Sequence, residues 1–171
     1  MNPLHDVRAA FFDWGGTLMS EDGPHDVAMG LWPEVAILPG AKEALQMLHG
    51  RLPLVIATNA TVSTRPLIEL ALSRVGLLQY FSHVFCYTDL RSRKSQAEFW
   101  QAAAASLGIR PQDIAMVGDS YEQDAAMPRL YGVQGVWFNP LAIPAGALGS
   151  VPEVERLEQF SAWICDVLSS I

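Results

Sequence analysis

The sequence predicts an α/β fold in which a parallel sheet is covered by helices on both faces. Short apolar runs alternate with longer helical patterns five times along the chain, which is typical of parallel sheets. Polar residues come directly after several of the apolar runs, as in folds that bind ligands at strand ends. The 171 residues are 50% hydrophobic and 17% charged, so one well-packed domain over residues 1–171 is expected.

The predicted strands are short, apolar and interrupted by Gly, Pro or polar residues. They cover residues 7–12, 52–57, 83–87, 114–117 and 133–138.

The predicted helices have spaced apolar residues, and four of the five are followed by Gly. They cover residues 40–49, 64–75, 95–107, 123–131 and 153–168. Residues 19–39 have no sustained period and several Gly and Pro residues, which predicts a short insertion after the first strand.

Composition and charge exclude several classes of protein. Lys and Arg number 11 against 18 for Asp and Glu, a net charge of −7, so a basic face for nucleic acid is not expected. No apolar run reaches the ~20 residues of a membrane span, and the N-terminus lacks a signal-peptide pattern. Two cysteines, Cys86 and Cys165, predict free thiols in a reducing compartment. A cytoplasmic protein without a membrane partner is the expectation.

Carboxylates follow two of the predicted strands. Asp13 follows the first and Asp119 the fourth, with Asp124 about one helical turn further on. Three carboxylates at one edge of a sheet cannot all stay ionised without a cation. Mg²⁺, which prefers oxygen ligands, is the expected cofactor.

Anion-binding groups are predicted at the same edge. Thr58 and Asn59 follow the second strand, and Lys94 precedes the Ala-rich helix. Together with main-chain amides after Asp13, they are suited to hold a phosphate. Asp13 is then the expected nucleophile, forming an aspartyl-phosphate.

Four motifs carry a family resemblance: residues 13–18, 54–59, Lys94 and 118–124. In this order and at these strand ends, the chain resembles the haloacid dehalogenase-like hydrolase superfamily, most of whose members are phosphatases. The resemblance implies a Rossmann-like three-layer sandwich with five parallel strands in the order 3-2-1-4-5.

The resemblance also implies a role for each matching residue. The metal would be held by Asp13, the carbonyl of Gly15, Asp119 and Asp124. The phosphate would be bound by the amides of Gly16 and Asn59, the hydroxyl of Thr58 and the ammonium of Lys94. Catalysis would fall to Asp13, Thr58 and Lys94, on a phosphorylated substrate.

One position departs from the family pattern. Phosphatases of this superfamily carry a second Asp two residues after the nucleophile, and here that position is Gly15. A positioned acid or base contributes roughly 10²–10⁴ in rate. The nearby candidates to replace it are Glu21, Asp22, His25 and Asp26.

Three alternatives follow from this departure. The first is a phosphate-binding or regulatory protein that has lost efficient turnover. The second is a C–P hydrolase similar to phosphonoacetaldehyde hydrolase, for which Lys42 is the only lysine left to form a Schiff base. The third is a dehalogenase, which needs a larger cap than residues 19–39 provide, so this segment is interpreted as a minimal flap. An apolar patch around Trp32 is a candidate contact in a homo-oligomer.

Overall fold

A six-stranded parallel sheet forms the centre of the computed structural model, which describes residues 1–170. Its strands are β1 (Ala9–Phe12), β2 (Leu54–Thr58), β3 (His83–Cys86), β4 (Ile114–Gly118), β5 (Gln134–Phe138) and β6 (Glu153–Val154). Their order is β3-β2-β1-β4-β5-β6, and every pair is parallel. The predicted order of the first five strands is confirmed.

The sixth strand was not predicted from the sequence. Glu153 and Val154 pair with Trp137 and Phe138 of β5, where the sequence pattern predicts the start of the last helix. A strand of two residues is too short to produce a recognisable alternation.

The helices agree with the five predicted segments except for one change in type, and a further short helix, Tyr87–Leu90, was not predicted from the sequence. They are α1 (Ala41–Leu48), α2 (Arg65–Arg74), α3 (Tyr87–Leu90), α4 (Ala97–Leu107), α5 (Met127–Arg129) and α6 (Leu157–Ser169). Short 3₁₀ turns cover Met29–Leu31, Leu78–Tyr80 and Pro111–Asp113. The fourth predicted helix is instead a π-helical segment, Tyr121–Ala126, followed by α5. π-Helical turns occur often at functional sites.

The sheet has an apolar layer on each face. Helices α1, α2 and α6 cover one face, and α4 covers the other. Consecutive side chains of β1 point to opposite faces of the sheet. The ring of Phe12 packs edge-to-face on that of Phe160 in α6, with centroids 5.5 Å apart, and the ring centroids of Phe11 and Trp100 in α4 are 6.0 Å apart. Burying one such side chain contributes about 1.5–3 kcal/mol. This packing fixes β1, and with it the position of Asp13.

Residues 19–39 fold as a short ribbon and loop against the sheet. Ser20 N donates to Ala36 O at 2.9 Å, and Leu38 N donates to Leu18 O at 2.8 Å. Trp32 is buried, and its Nε1 donates to two main-chain oxygens of the same loop. A short insertion is what the sequence predicts, but its role as a flap stays a prediction. The oligomer contact also stays a prediction, and exposed Leu31 rather than Trp32 would carry it.

No helix among residues 1–170 has the length and apolar character needed to cross a bilayer.

The π-helical segment packs closely on β5 because Gly135 has no side chain. A Cβ on Gly135 would lie 2.8 Å from the Cα of Ala125 and would also overlap its carbonyl oxygen. The obstacle is main chain, which cannot rotate away.

Gly135→Ala should therefore lower the free energy of unfolding by about 3 kcal/mol, the upper part of the range for overpacking. Urea denaturation would measure the change as a lower midpoint at an unchanged slope. Gly50→Ala is the control: Gly50 has φ +76° but no atom within 4 Å of an added Cβ, so a loss of about 1 kcal/mol is expected from backbone strain alone. Equal losses in the two variants would contradict the close contact.

Candidate active site

Three acids meet at the carboxyl ends of neighbouring strands. Asp13 follows β1, Asp119 follows β4, and Asp124 lies in the π-helical segment. One carboxylate oxygen of each lies within 4.8 Å of the others. Asp13 and Asp124 are buried, and Asp119 is open to solvent. The strand-end positions seen in the sequence thus do bring the three predicted carboxylates together.

Lys94 is buried in the middle of this cluster. Its Nζ lies 2.8 Å from Asp13 Oδ1 and 2.6 Å from Asp124 Oδ1, and it donates to the carbonyl of Ala57 at 3.1 Å. Only 2% of the residue is exposed, so Lys94 belongs to the interior of the site and not to the surface. Trp100 Nε1 donates to the Lys94 carbonyl at 2.7 Å, which ties the main chain to the core.

Thr17 connects two of the acids. Its hydroxyl donates to Asp13 Oδ2 at 2.9 Å and accepts the Asp119 N–H at 3.0 Å. The residue is fully buried. One Asp13 oxygen is therefore held by Lys94 and the other by Thr17. The sequence analysis did not assign Thr17, although its place four residues after Asp13 in a Gly-containing turn is the available signal.

Asn59 links the segments that surround the acids. Its Oδ1 accepts the main-chain N–H of Lys94 at 2.8 Å, and its Nδ2 donates to Gln123 Oε1 at 2.8 Å. Thr58 Oγ1 accepts the N–H of Ala60 at 3.1 Å, which leaves the hydroxyl hydrogen of Thr58 free to donate. Gln123, like Thr17, has no role predicted from the sequence.

Two glycines let carboxylates approach the main chain. A Cβ on Gly118 would overlap the Asp124 carboxyl, and a Cβ on Gly16 would lie 2.5 Å from Asp119 Oδ2. The N–H of Gly16 donates to Met19 O at 2.8 Å. The expectation that this amide binds phosphate is therefore corrected: the turn uses its hydrogen, and the missing side chain makes room for Asp119.

Charge in the cluster is not balanced by the protein. Desolvation, followed by the charge of Asp13, raises the pKa of Asp119 to about 8 and that of Asp124 to about 6, although Lys94 opposes the shift at Asp124. Burial alone would lower the pKa of Lys94, but Asp124 and Asp13 together raise it above its usual value. Three carboxylates against one ammonium leave an excess of two negative charges when all are ionised. An oxygen-liganded divalent cation fits this set.

A cavity of about 240 Å³ opens over the acids. Its lining includes Asp13, Thr58, Asn59, Lys94, Asp119 and Asp124, so the predicted side chains share one space. Glu21 also lines it, and the Glu21 Oε1 lies 2.5 Å from the position of a Cβ on Gly15. Desolvation and the charge of Asp13 raise the pKa of Glu21, against a smaller opposite effect of His25.

Lys42 is far less suited to chemistry than Lys94. It is exposed on α1 and is absent from the lining of the Asp13 cavity. Lys42 is therefore not placed to serve the Schiff-base alternative at this site, and Lys94, the lysine that lines the cavity, is held between Asp13 and Asp124.

Lys94→Met should lower the free energy of unfolding by about 3–5 kcal/mol in metal-free buffer at pH 8, because it removes the positive charge that pairs with two buried carboxylates, Asp13 and Asp124. The deficit should shrink as the pH falls, because Asp124 takes up a proton in the folded variant at a higher pH than in the wild type, where the charge of Lys94 lowers its pKa. Denaturant titrations at pH 8 and at lower pH measure it. The other lysine provides the control, since Lys42→Met should change stability by no more than about 0.5 kcal/mol. Similar losses in the free energy of unfolding for both variants would contradict a specific role of the Lys94 ion pairs.

Comparison with known proteins agrees with this geometry. Residues 24–132 match the family described as haloacid dehalogenase-like hydrolase. Asp13 and Thr17 precede the matched region, so their placement comes from the structure.

Two curated phosphatases are similar in sequence. The chain is 32% identical over 109 residues to a ribulose-1,5-bisphosphate 5-phosphatase from Halopiger xanaduensis, covering 63% of this chain and 44% of that protein. It is 36% identical over 101 residues to a phosphoglycolate phosphatase from Chromobacterium violaceum, covering 58% and 44%. The match thus spans less than half of each relative.

Solved structures share the fold. An uncharacterized protein from Listeria monocytogenes serotype 4b superposes with a TM-score of 0.79 at 22% identity, covering 96% of this chain and all of that one. A 2-haloacid dehalogenase from Pseudomonas syringae pv. Tomato gives 0.75 at 17% identity, covering 94% and 99%. The family match covers well over half of the chain, and the acids, lysine and sheet order agree with it. The protein therefore belongs to the haloacid dehalogenase-like hydrolases.

Proposed function

We propose that this protein is a Mg²⁺-dependent hydrolase of phosphate esters or anhydrides that works through an aspartyl-phosphate at Asp13. The observation that carries the proposal is the setting of the Asp13 carboxylate. It is buried, held by Lys94 on one oxygen and by Thr17 on the other, and it borders the 240 Å³ cavity. A carboxylate fixed in this way is suited to attack phosphorus.

The relatives support a phosphate substrate. Both of the curated proteins compared above are named as phosphatases, one of a sugar bisphosphate and one of phosphoglycolate. We take from them the substrate class only, a phosphorylated small molecule, because each matches over less than half of its length.

The reaction has two halves. An oxygen of Asp13 attacks phosphorus, and the bond from phosphorus to the leaving oxygen breaks. Water then attacks the phosphorus of the aspartyl-phosphate, which frees inorganic phosphate and restores the Asp13 carboxylate. The Lys94 ammonium stabilises negative charge on the transferring group, and the free hydroxyl hydrogen of Thr58 is available to a phosphate oxygen.

The cation would be held by Asp13, Asp119 and Asp124, with the carbonyl of Gly15 as the further ligand that the family resemblance implies. When bound, Mg²⁺ supplies positive charge that offsets the carboxylates and the phosphate. The three carboxylates together with Lys94 and the cation are then close to neutral, and a dianionic substrate can enter without strong repulsion.

The proposal also includes a cytoplasmic location and self-association of the protein. A cytoplasmic setting follows from the free thiols that the sequence predicts, and self-association through residues 19–39 remains a prediction.

Asp13→Asn should reduce hydrolysis of 4-nitrophenyl phosphate by roughly 10⁴-fold or more, because the nucleophile is lost while the size of the side chain is kept. EDTA should abolish the wild-type activity, and added Mg²⁺ should restore it. Quenched wild-type protein should carry one phosphoryl group on the peptide that contains Asp13, detected by mass spectrometry.

Asp166→Asn, an exposed position on α6, is the matched control and should keep full activity. Turnover that persists in Asp13→Asn would refute the aspartyl-phosphate route. Binding of phosphate to wild-type protein without any turnover would favour the regulatory alternative, and borohydride trapping on Lys42 would favour C–P cleavage.

A further inference from the structure

A carboxyl group from another position in the chain, that of Glu21, lies against Gly15, the residue at which the motif lacks its acid. Glu21 Oε1 lies 2.5 Å from the point that a Cβ on Gly15 would occupy, and the Glu21 carboxyl carbon lies 3.2 Å from it. The carboxyl of Glu21 therefore fills the volume in which a side chain at residue 15 would begin. In this conformation the Glu21 carboxyl depends on the absence of a side chain at Gly15, because a side chain there would displace it.

We propose that Glu21 is the general acid and base of this enzyme, and that its carboxyl exchanges protons with the leaving oxygen and with the attacking water. This inference rests on the hydrolase function proposed above and adds the catalytic residue that the sequence motif lacks.

The fold holds Glu21 beside the nucleophile through a tight turn. Leu18 N and Met19 N donate to the carbonyl of Trp14, and Gly16 N donates to Met19 O. Met19 also bridges Gly15 on one side and Ile37 on the other. The chain thus returns to the Asp13 loop two residues before Glu21, and the ribbon of residues 18–20 with 36–38 anchors it there.

Other groups near the cavity are less suited to this role. Asp13, Asp119 and Asp124 are committed to Lys94, to Thr17 or to one another. Among the four candidates from the sequence, Glu21 alone lines the cavity that contains Asp13. His25 lines a cavity of about 160 Å³ and Asp22 one of about 510 Å³, and Glu21 borders both of these as well as the cavity over Asp13.

Protons and electrons balance over the two halves of the reaction. In the first, Asp13 forms its bond to phosphorus, the electron pair of the breaking bond goes to the leaving oxygen, and the Glu21 carboxyl gives that oxygen its proton. The products are an alcohol, the aspartyl-phosphate and the Glu21 carboxylate. In the second, this carboxylate takes a proton from water as its oxygen attacks phosphorus, which restores Glu21 and Asp13 and releases phosphate.

Glu21→Gln tests the first half through the choice of leaving group. The kcat/KM for an alkyl phosphate should fall by roughly 10²–10⁴-fold, the usual contribution of a positioned acid. The kcat/KM for 4-nitrophenyl phosphate, whose phenolate leaves without a proton, should change by less than about fivefold. Because the water-activating base is lost as well, kcat should fall for both substrates. A burst of about one nitrophenolate per protein should then precede the slow steady state.

Moving the carboxyl group from residue 21 to residue 15 distinguishes a catalytic role of Glu21 from a structural one. Glu21→Ala opens the space beside Gly15, so Gly15→Asp can be added without overlap. The double variant should recover at least tenfold of the alkyl phosphate activity lost in Glu21→Ala. The double variant with Gly15→Asn, of the same size but unable to donate an acidic proton, should recover none. Asp22→Asn, the same loss of charge on the adjacent residue, should act on both substrates like the wild type.

The outcomes separate the two proposals. Equal losses of kcat/KM for both substrates in Glu21→Gln, or no loss for either, would overturn the role of Glu21 while leaving Asp13 and the hydrolase function in place. No Asp13-dependent hydrolysis of either substrate by the wild type would overturn the hydrolase function, and the role of Glu21 would fall with it.

Discussion

The buried ammonium of Lys94 organises the whole carboxyl edge of the sheet. It contacts Asp13 and Asp124 within 2.8 Å and a carbonyl of β2, so one side chain fastens three segments together. Burying these ions costs several kcal/mol each in lost hydration, which only close pairing offsets. The arrangement therefore contributes little net stability, but it defines one geometry for the nucleophile. A loose site would leave Asp13 free to turn towards solvent.

The same edge carries more negative charge than Lys94 neutralises. Glycines at this edge allow the carboxylates to approach the main chain closely. Gly16 and Gly118 remove the side chains that would keep Asp119 and Asp124 apart from the loops, and Gly135 lets the π-helical segment settle on β5. Close packing of like charges is unfavourable without a cation. The residues thus form a site with excess negative charge, which a divalent cation would offset.

The grouping of the site residues could largely be predicted from the sequence, because the carboxyl ends of parallel strands lie at the same edge of the sheet. Short apolar runs locate β1, β2 and β4, and adjacency of those strands is enough to bring Asp13, Thr58 and Asp119 together. The pairing of Thr17 with Asp13 was not predictable, because its hydroxyl reaches the acids only through a turn whose path no periodicity encodes. The two-residue β6 and the π-helical hydrogen bonds likewise depend on tertiary contacts rather than on local pattern.

The proposed role of Glu21 beside Gly15 is a reason not to infer loss of function from the loss of one motif residue. A general acid must lie within hydrogen-bond distance of the leaving oxygen, whichever residue provides it. The family motif provides it from the residue two positions after the nucleophile. A turn that folds back within six residues provides a second route, at the cost of a more exposed and longer side chain with more rotamers to restrict. Such a group donates its proton from a less rigid position.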